Sequence, residues 1–193
     1  MTRQEQRSED TRTKLMKAFR DSFLRRGYDK TTTQHVLTAT GLSKGALYHH
    51  FRSKSDVMEA IYEEESRSTI ERALASIDAA ASPLERLRAA YVAWTKEVRS
   101  KSASRILFEI GPSALGRQRA KEIENAISLL HIEAILDEAV TAGDIVSADP
   151  ALIAAMLNAL VAEAALYTLR TGKDSSAALD SVLGAAMESM RSE

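Results

Sequence analysis

Apolar residues with helical spacing recur along almost the whole chain, and this pattern constrains the fold more than any other feature. In the first segment, Leu15, Phe19 and Phe23 fall four residues apart, so their side chains share one face of a helix. The strict alternation of apolar and polar residues that marks a half-buried strand is absent. Only 8 glycines and 3 prolines interrupt a chain of 193 residues. We therefore predict an all-α fold of about nine helices, with a three-helix amino-terminal head and a larger helical body.

Capping residues and helix breakers set the expected boundaries. Gly27 and Gly41 end two helices of the head, Ser43 caps the third, and Pro83 suits the first turn of a body helix. Gly111-Pro112 is expected to separate two helices. The predicted helices cover about residues 10–26, a short helix opened by residues 31–33 and ended by Gly41, and then 44–51, 54–80, 83–98, 102–110, 115–142, 151–171 and 175–191.

Charge is distributed unevenly along the chain, although the net charge is only −1. Residues 1–60 carry 12 Lys and Arg against 7 Asp and Glu, whereas residues 61–193 carry 14 against 20. Unless this is chance scatter, a basic head on an acidic body predicts that the head meets a polyanion. The chain has no cysteine, no signal-peptide pattern and no uncharged apolar run long enough for a membrane span. These absences predict a soluble, cytoplasmic protein.

The segment from Thr32 to Lys54 has the pattern of a helix-turn-helix. Gly41 permits a tight turn between its two short helices. The residues expected to meet inside the pair are Val36, Leu42, Leu47 and Phe51. The segment therefore predicts two packed helices, the second of which begins after Ser43.

The outward face of that second helix suits the major groove of DNA. It carries Lys44, Gly45, Tyr48 and His49. A lysine can donate to guanine acceptors, a glycine lets the helix approach closely, and a tyrosine can reach a phosphate or a thymine methyl group. The structural alternative is a helical hairpin that only packs within the protein, but this set of side chains is poor core material.

The same segment resembles the tetracycline-repressor-like (TetR) family of bacterial transcriptional regulators. The matching residues are Thr32, Val36, Gly41-Leu42-Ser43-Lys44-Gly45-Ala46-Leu47-Tyr48-His49-His50-Phe51 and Ser53-Lys54. The resemblance is strong over about residues 10–60 and rests on helix order and length in the body. It implies a dimer, with a DNA-binding domain at residues 1–53 and an effector-binding and dimerisation domain at residues 54–193.

The resemblance also implies roles for individual residues. It predicts base-edge or groove contacts from Gln34, Lys44, Gly45 and Tyr48. It predicts phosphate contacts, several through backbone N–H groups, from Thr33, Ala46, His50 and Lys54. Thr32, Ser43 and His49, to which no contact type is assigned, complete the predicted DNA-binding set. Three positions depart from the family's usual residues, namely His35, Leu37 and Thr40.

Five body residues are candidates for a ligand site, each with a structural alternative. Tyr91, Trp94 and Phe108 lie on helices that the resemblance places around a cavity, although their spacing alone assigns them to the core. His131 shares a stripe with isoleucines, which fits a core histidine, a ligand contact or a protonation switch. Glu163 is the only charged residue between 151 and 169; we expect it to form a salt bridge across a dimer interface, to lie at an exposed edge, or to bind a cationic or hydroxylated ligand.

The last two predicted helices are rich in alanine, leucine and methionine. Pairing with the same helices of a second chain would make a four-helix interface, whereas in the alternative they wrap the chain's own core as a monomer. Small residues permit the close helix approach that either arrangement needs. We expect the homodimer.

These features predict a transcriptional repressor that leaves a near-palindromic double-stranded DNA operator when a small molecule binds. The alternative is an effector-independent architectural or constitutive DNA-binding protein. The sequence contains no P-loop, nucleophile elbow, dinucleotide-binding glycine pattern or metal-ligand cluster. We therefore expect neither catalysis nor a bound cofactor or metal, and we expect nucleoid-associated protein without membrane contact.

Overall fold

The computed structural model describes residues 2–145 and 149–191, and within these ranges every element longer than an isolated bridge is helical. The predicted all-α fold is thus confirmed. In chain order the elements are α1 (Arg3–Arg26), α2 (Thr33–Thr40), α3 (Lys44–His50), α4 (Lys54–Ala75), α5 (Pro83–Glu97), α6 (Lys101–Ser104), a π-helical segment (Arg105–Ile110), α7 (Gly111–Leu115), α8 (Arg117–Thr141), α9 (Pro150–Thr171) and α10 (Ser176–Glu188).

The sequence predicts that α1 begins near Asp10, but the helix begins at Arg3. Thr2 and Glu5 form a capping box: the Glu5 N–H donates to Thr2 Oγ1 at 3.2 Å, and the Thr2 N–H donates to Glu5 Oε2 at 2.7 Å. The apolar periodicity that guided the prediction begins only at Leu15, so it could not register this polar extension. At its other end, α1 stops at Arg26, as predicted.

The prediction that Gly111-Pro112 breaks the chain is wrong, because the helical stretch runs from Lys101 through Leu115. Pro112 lies in the first turn of α7, where its missing N–H is least costly. Gly111 packs against the Tyr62 ring: a Cβ there would lie 2.2 Å from Tyr62 Cδ2 and 2.7 Å from the Ile106 carbonyl oxygen. The glycine is therefore required by close packing.

The chain divides into two compact units. The first contains the described residues up to Glu65 together with Arg105–Ala120, and the second contains Ser66–Ser104 and the described residues from Lys121 onward. The predicted domain boundary at residues 53 and 54 remains a prediction, since the units follow spatial proximity and not domain function. Buried apolar side chains of the first unit include Leu15, Phe19, Phe23, Val36, Leu47, Phe51, Met58 and Tyr62.

The second unit is built around one apolar cluster from α5, α8, α9 and α10. Arg88 on α5 joins Asp180 on α10 through two hydrogen bonds of 2.6 Å each. Gly184 leaves room for this arginine, since a Cβ at that position would lie 3.3 Å from the Arg88 guanidinium carbon. Inward residues of the cluster include Leu84, Leu87, Ile132, Leu136, Leu157, Val161, Leu179 and Leu183.

Candidate nucleic-acid interface

The helix-turn-helix predicted from the sequence is formed by α2 and α3. Thr32 caps α2 by accepting the His35 N–H at 3.2 Å, and Ser43 caps α3 by accepting the Ala46 N–H at 3.1 Å. Gly41 has a φ of 68°, in the left-handed region that favours glycine. Local capping chemistry therefore determines where both helices start and how the chain turns between them.

The residues predicted to lie inside the helix-turn-helix are largely buried, and α2 and α3 both pack against α1. Val36, Leu47 and Phe51 are buried, while Leu42 is half-buried. Leu37, one of the departures from the family pattern, is also buried. Thr40, another departure, turns its hydroxyl back onto its own helix and donates to the Val36 carbonyl oxygen at 2.8 Å. Neither departure leaves a buried polar group without a hydrogen bond.

The outward face of α3, defined here as Lys44, Gly45, Tyr48 and His49, is exposed along its whole length. Tyr48 has 47% of its surface accessible to solvent, and Lys44 Nζ lies 5.7 Å from the centre of its ring. A cation above an aromatic face gains little at an exposed site, so this pair does not explain why either residue is there. The face presents hydrogen-bond donors and an aromatic surface to solvent.

Gly45 is the member of this face that the fold of the isolated chain does not require. Its φ is negative, and a Cβ at this position would have Ser43 Oγ as its nearest heavy atom at 3.8 Å, an ordinary contact. Glycine inside a helix costs roughly 1 kcal/mol relative to alanine. The chain therefore carries a destabilising residue at a position where alanine would fit.

The residues predicted to contact phosphates differ in how available they are. Thr33 and His50 are half-buried on the first unit's surface. The Ala46 N–H is already donated to Ser43, so a phosphate would have to share it. Lys54 is already hydrogen-bonded within the protein, because its ammonium donates to the carbonyl oxygens of Tyr28 and Thr31 at 3.0 and 3.2 Å. Gln34 is exposed, with only a 3.4 Å contact to Thr38.

The electrostatic surroundings of His50 lower the pKa of its imidazole below the ordinary value. Partial burial is the largest cause, followed by the charges of His49 and Arg12, while Glu9 acts in the opposite direction. The His49 ring stands edge-on to the His50 ring, with centroids 5.0 Å apart. The lowered pKa favours the neutral form of the His50 imidazole near pH 7.

Sequence reasoning missed the contribution of α1 to this region. Lys14 Nζ donates to the carbonyl oxygen of Thr40, the last residue of α2, at 2.9 Å. The Arg12 guanidinium lies 5.5 Å from the centre of the Phe51 ring, at the end of α3. The only available signal was the basic character of α1, which does not by itself reveal contacts with residues 26 or more positions away.

The five ligand candidates are not brought together in one unit. Phe108 is a half-buried residue of the first unit, whereas the other four belong to the second. His131 is exposed, and Glu163 is exposed and paired with Arg170 at 3.1 Å. Tyr91 is only 6% exposed and Trp94 packs against the same apolar cluster. A ligand role for any of them remains a prediction.

Tyr91 stands out within this cluster because its buried hydroxyl has no hydrogen-bond partner. Burial raises the pKa of the Tyr91 phenol well above its ordinary value, so the group stays neutral and can donate. A buried polar group without a partner costs about 1–3 kcal/mol. In the part of the chain that the structure describes, no group of three or more acidic or histidine side chains is placed to hold a metal ion.

Helix α9 exposes an unusually apolar surface. By length and composition it could cross a membrane, and only 22% of its most apolar window is buried. One side of this helix, called here the outward face of α9, carries the exposed apolar residues Leu152, Met156, Leu160 and Tyr167 with Ala155 and Ala159, and the exposed Glu163 and Arg170 lie on the same side. Contiguous apolar surface of this kind is uncommon on monomeric soluble proteins.

Fold and surface together define a helix-turn-helix protein of the DNA-binding regulator class. Residues 15–61 match the family model described as bacterial regulatory proteins, tetR family. Residues 84–191 match the model described as the tetracyclin repressor-like C-terminal domain. The chain therefore belongs to the TetR family of bacterial transcriptional regulators, as its resemblance predicted.

Individual relatives agree with this assignment. The chain is 28% identical over 98 residues to the HTH-type transcriptional repressor KstR2 of Mycolicibacterium smegmatis, covering 51% of this chain and 48% of that repressor. The chain thus spans about half the length of this curated relative. A TetR-family regulator from Pectobacterium atrosepticum has a similar structure, with 26% identity, a TM-score of 0.69, and coverage of 97% of this chain and 94% of that one. The protein of a SmeT–triclosan complex is 26% identical, with a TM-score of 0.69 and 91% coverage of both chains.

Proposed function

We propose that this chain is a cytoplasmic repressor that binds a near-palindromic operator as a homodimer and leaves it when a small molecule binds. The observation that carries the DNA-binding assignment is the exposed outward face of α3 with Gly45 at its start. Membership of the TetR family supports the regulatory role.

The glycine at position 45 is the physical reason for assigning DNA binding to the start of α3. Because alanine would fit and would favour the helix, the benefit of glycine must come from something outside the isolated chain. A base edge or sugar-phosphate backbone pressed against the start of α3 would occupy the space where a Cβ would stand. Close approach of this kind is what a recognition helix needs in the major groove.

The side chains around Gly45 supply the donors that such a contact needs. Lys44 is exposed at the first position of α3, where it can donate to guanine O6 or N7. Tyr48 lies one turn later and can contact a phosphate or a thymine methyl group. Gln34, exposed at the start of α2, can reach an adjacent base or phosphate. We propose these three contacts from the surface of the protein without DNA.

The direct experiment is selection of bound DNA from random fragments, followed by titration of the recovered site with variants. Lys44→Ala and Tyr48→Ala should each weaken binding to that site by roughly 1–3 kcal/mol. Lys96→Ala, which removes an exposed lysine from α5, is the charge-matched control and should bind like the parent. Parent-like binding by both α3 variants would contradict the proposed recognition helix.

We propose that the outward face of α9 is covered by the same face of a second copy. An isologous dimer brings two heads to DNA, so its operator is two-fold symmetric. Val182 on α10 is also exposed, which fits a four-helix interface made from both C-terminal helices. The exposed Glu163–Arg170 pair makes a membrane a poor alternative environment for this face.

The proposed effector is a small, mainly apolar molecule bound in the second unit. The buried Tyr91 hydroxyl without a partner supports this, because a ligand acceptor would satisfy it. The structural relative solved as a triclosan complex supplies a first probe compound. Calorimetry with and without operator tests regulation. If the two sites are coupled, DNA must lower the affinity for the ligand by the same factor by which the ligand lowers the affinity for DNA. Equal ligand affinity in both titrations would show that the site does not regulate binding.

A further inference from the structure

The first three turns of α1 carry a cationic stripe. These residues lie outside the family match, which begins at residue 15. Arg3, Arg7 and Lys14 lie within about 40° of one another around the helix, because spacings of four, seven and eleven residues repeat its turn. All three are exposed. They extend over roughly 16 Å at about 1.5 Å per residue.

The acidic residues of this segment leave the stripe with a positive charge. Glu5 and Glu9 lie on the opposite side of the helix, where Glu5 caps the helix start and Glu9 lies 3.9 Å from Arg12. Asp10 is the exception, since it shares the stripe and accepts a hydrogen bond from Gln6 Nε2 at 3.1 Å. Three basic residues and one acidic residue therefore face one direction.

Contacts within the first unit fix where the stripe lies. Its carboxyl end is Lys14, whose ammonium donates to the final carbonyl of α2, immediately before the turn into α3. On the opposite side of α1, Arg12 covers the Phe51 ring, and Glu9 and Arg12 act electrostatically on His50, so the end of α3 lies against the side of α1 that faces away from the stripe. The stripe therefore meets the helix-turn-helix through Lys14, beside the turn between α2 and α3, and Arg3 and Arg7 continue outward from that point along α1. The capping box at Thr2 and Glu5 holds α1 helical from its first turn.

We propose that Arg3 and Arg7 form a further phosphate-binding site that extends the contact of each head along the DNA backbone beyond the helix-turn-helix. This inference rests on the proposed function, because it requires that the outward face of α3 meet DNA. Exposed arginines on a defined helix can each neutralise one phosphate and release its counterion. Such contacts position the protein without reading sequence.

The test is the salt dependence of binding by the full-length protein, measured for the selected operator and for an unrelated duplex. The variant is Arg3→Gln with Arg7→Gln, which removes two charges while keeping good helix formers. The matched control is Arg25→Gln with Arg26→Gln, at the other end of α1, about 27 Å away from Arg7 at 1.5 Å per residue. Both control residues are exposed, and both variants change the net charge equally.

If the site exists, the stripe variant should reduce the steepness of the slope of log affinity against log salt concentration by about two to four units. Each phosphate contact contributes ~0.9 to that slope, and the variant removes two arginines from each of two heads. It should weaken operator and unrelated DNA by similar factors, about tenfold or more at moderate salt. The control should keep the parent slope. Circular dichroism of both variants checks that α1 stays helical.

Two results would overturn the inference. An unchanged slope in the stripe variant would show that Arg3 and Arg7 form only a solvated face. Equal flattening in both variants would show a general effect of net charge without a site on the stripe. Lys44→Ala separates this from the proposed function: if it weakens operator binding while the stripe variant does not, the recognition helix stands and the additional site does not.

Discussion

The outward faces of α3 and α9 are both exposed, yet they call for different partners. That of α3 carries a lysine, a glycine, a tyrosine and a histidine on a basic head, whereas that of α9 carries leucine, methionine, tyrosine and alanine together with the Glu163–Arg170 ion pair. Each has a cost to the isolated chain: a glycine inside a helix for α3, and apolar area in water for α9. Both costs are explained if α3 binds a polyanion and α9 packs against the same face of a second copy.

The largest expected effect comes from placing a charge on the α9 face. Ala159→Glu buries an unpaired carboxylate if two copies meet there, so the variant should sediment as a monomer at micromolar concentration. Operator affinity should then fall by about 10²-fold or more, because the two heads no longer bind as a linked pair. Ala89→Glu, on an exposed position of α5, is the matched control and should leave both properties unchanged.

Two outcomes would contradict the assignment of the α9 face to the dimer interface. A dimeric Ala159→Glu variant with parent-like operator binding would show that the α9 face is not the dimer interface. A parent protein that is monomeric and floats with lipid vesicles would assign the face to a membrane, which the length and composition of α9 alone would permit. Sedimentation and vesicle flotation on the same preparation distinguish the three cases.

Lys54 tests how far a basic residue near DNA also serves the fold. Its two hydrogen bonds to carbonyl oxygens, and its position 4.1 Å from the Tyr28 ring centre, connect the start of α4 to the chain before α2. Lys54→Met should therefore lower the free energy of unfolding by about 1–3 kcal/mol, as measured by denaturant titration. Any loss of salt dependence should be at most about one unit of slope. A variant with unchanged stability but a flatter slope would make Lys54 mainly a phosphate contact.

The parts of the molecule that could be predicted are those determined by neighbouring residues. Gly41 and Ser43 set the turn and the start of α3 through contacts three or four residues away, and both were predicted correctly. Gly111 was interpreted as a helix breaker, whereas in the structure the glycine makes room for the ring of Tyr62, which lies far away in the sequence. Likewise, His131 has the spacing of a core residue, but its exposure depends on which helices pack beside α8.

Gly45→Ala tests whether the start of α3 contacts DNA closely, because its two expected effects have opposite signs. The free energy of unfolding should rise by roughly 0.5–1 kcal/mol, since alanine favours the helix and meets no atom closer than 3.8 Å. Operator affinity should fall, because the added methyl group stands where DNA must approach. If operator affinity is unchanged while the protein becomes more stable, the start of α3 does not touch DNA closely and the argument from Gly45 fails.

The smallest expected effect concerns pH, through His50. Its pKa in the folded protein lies below the unfolded value, so the unfolded state binds more protons just below pH 6.5 and His50 subtracts stability as the pH falls through that range. A nearby phosphate acts in the opposite direction, because it favours the imidazolium form. DNA binding should therefore take up part of a proton, and operator affinity should rise by about two- to threefold between pH 7.5 and pH 6.0 through this group. Anisotropy titrations of the parent and of His50→Gln across that range measure the difference. Identical pH dependence in the two proteins would place His50 away from the phosphates, which would leave the α3 contact to Lys44, Gly45 and Tyr48.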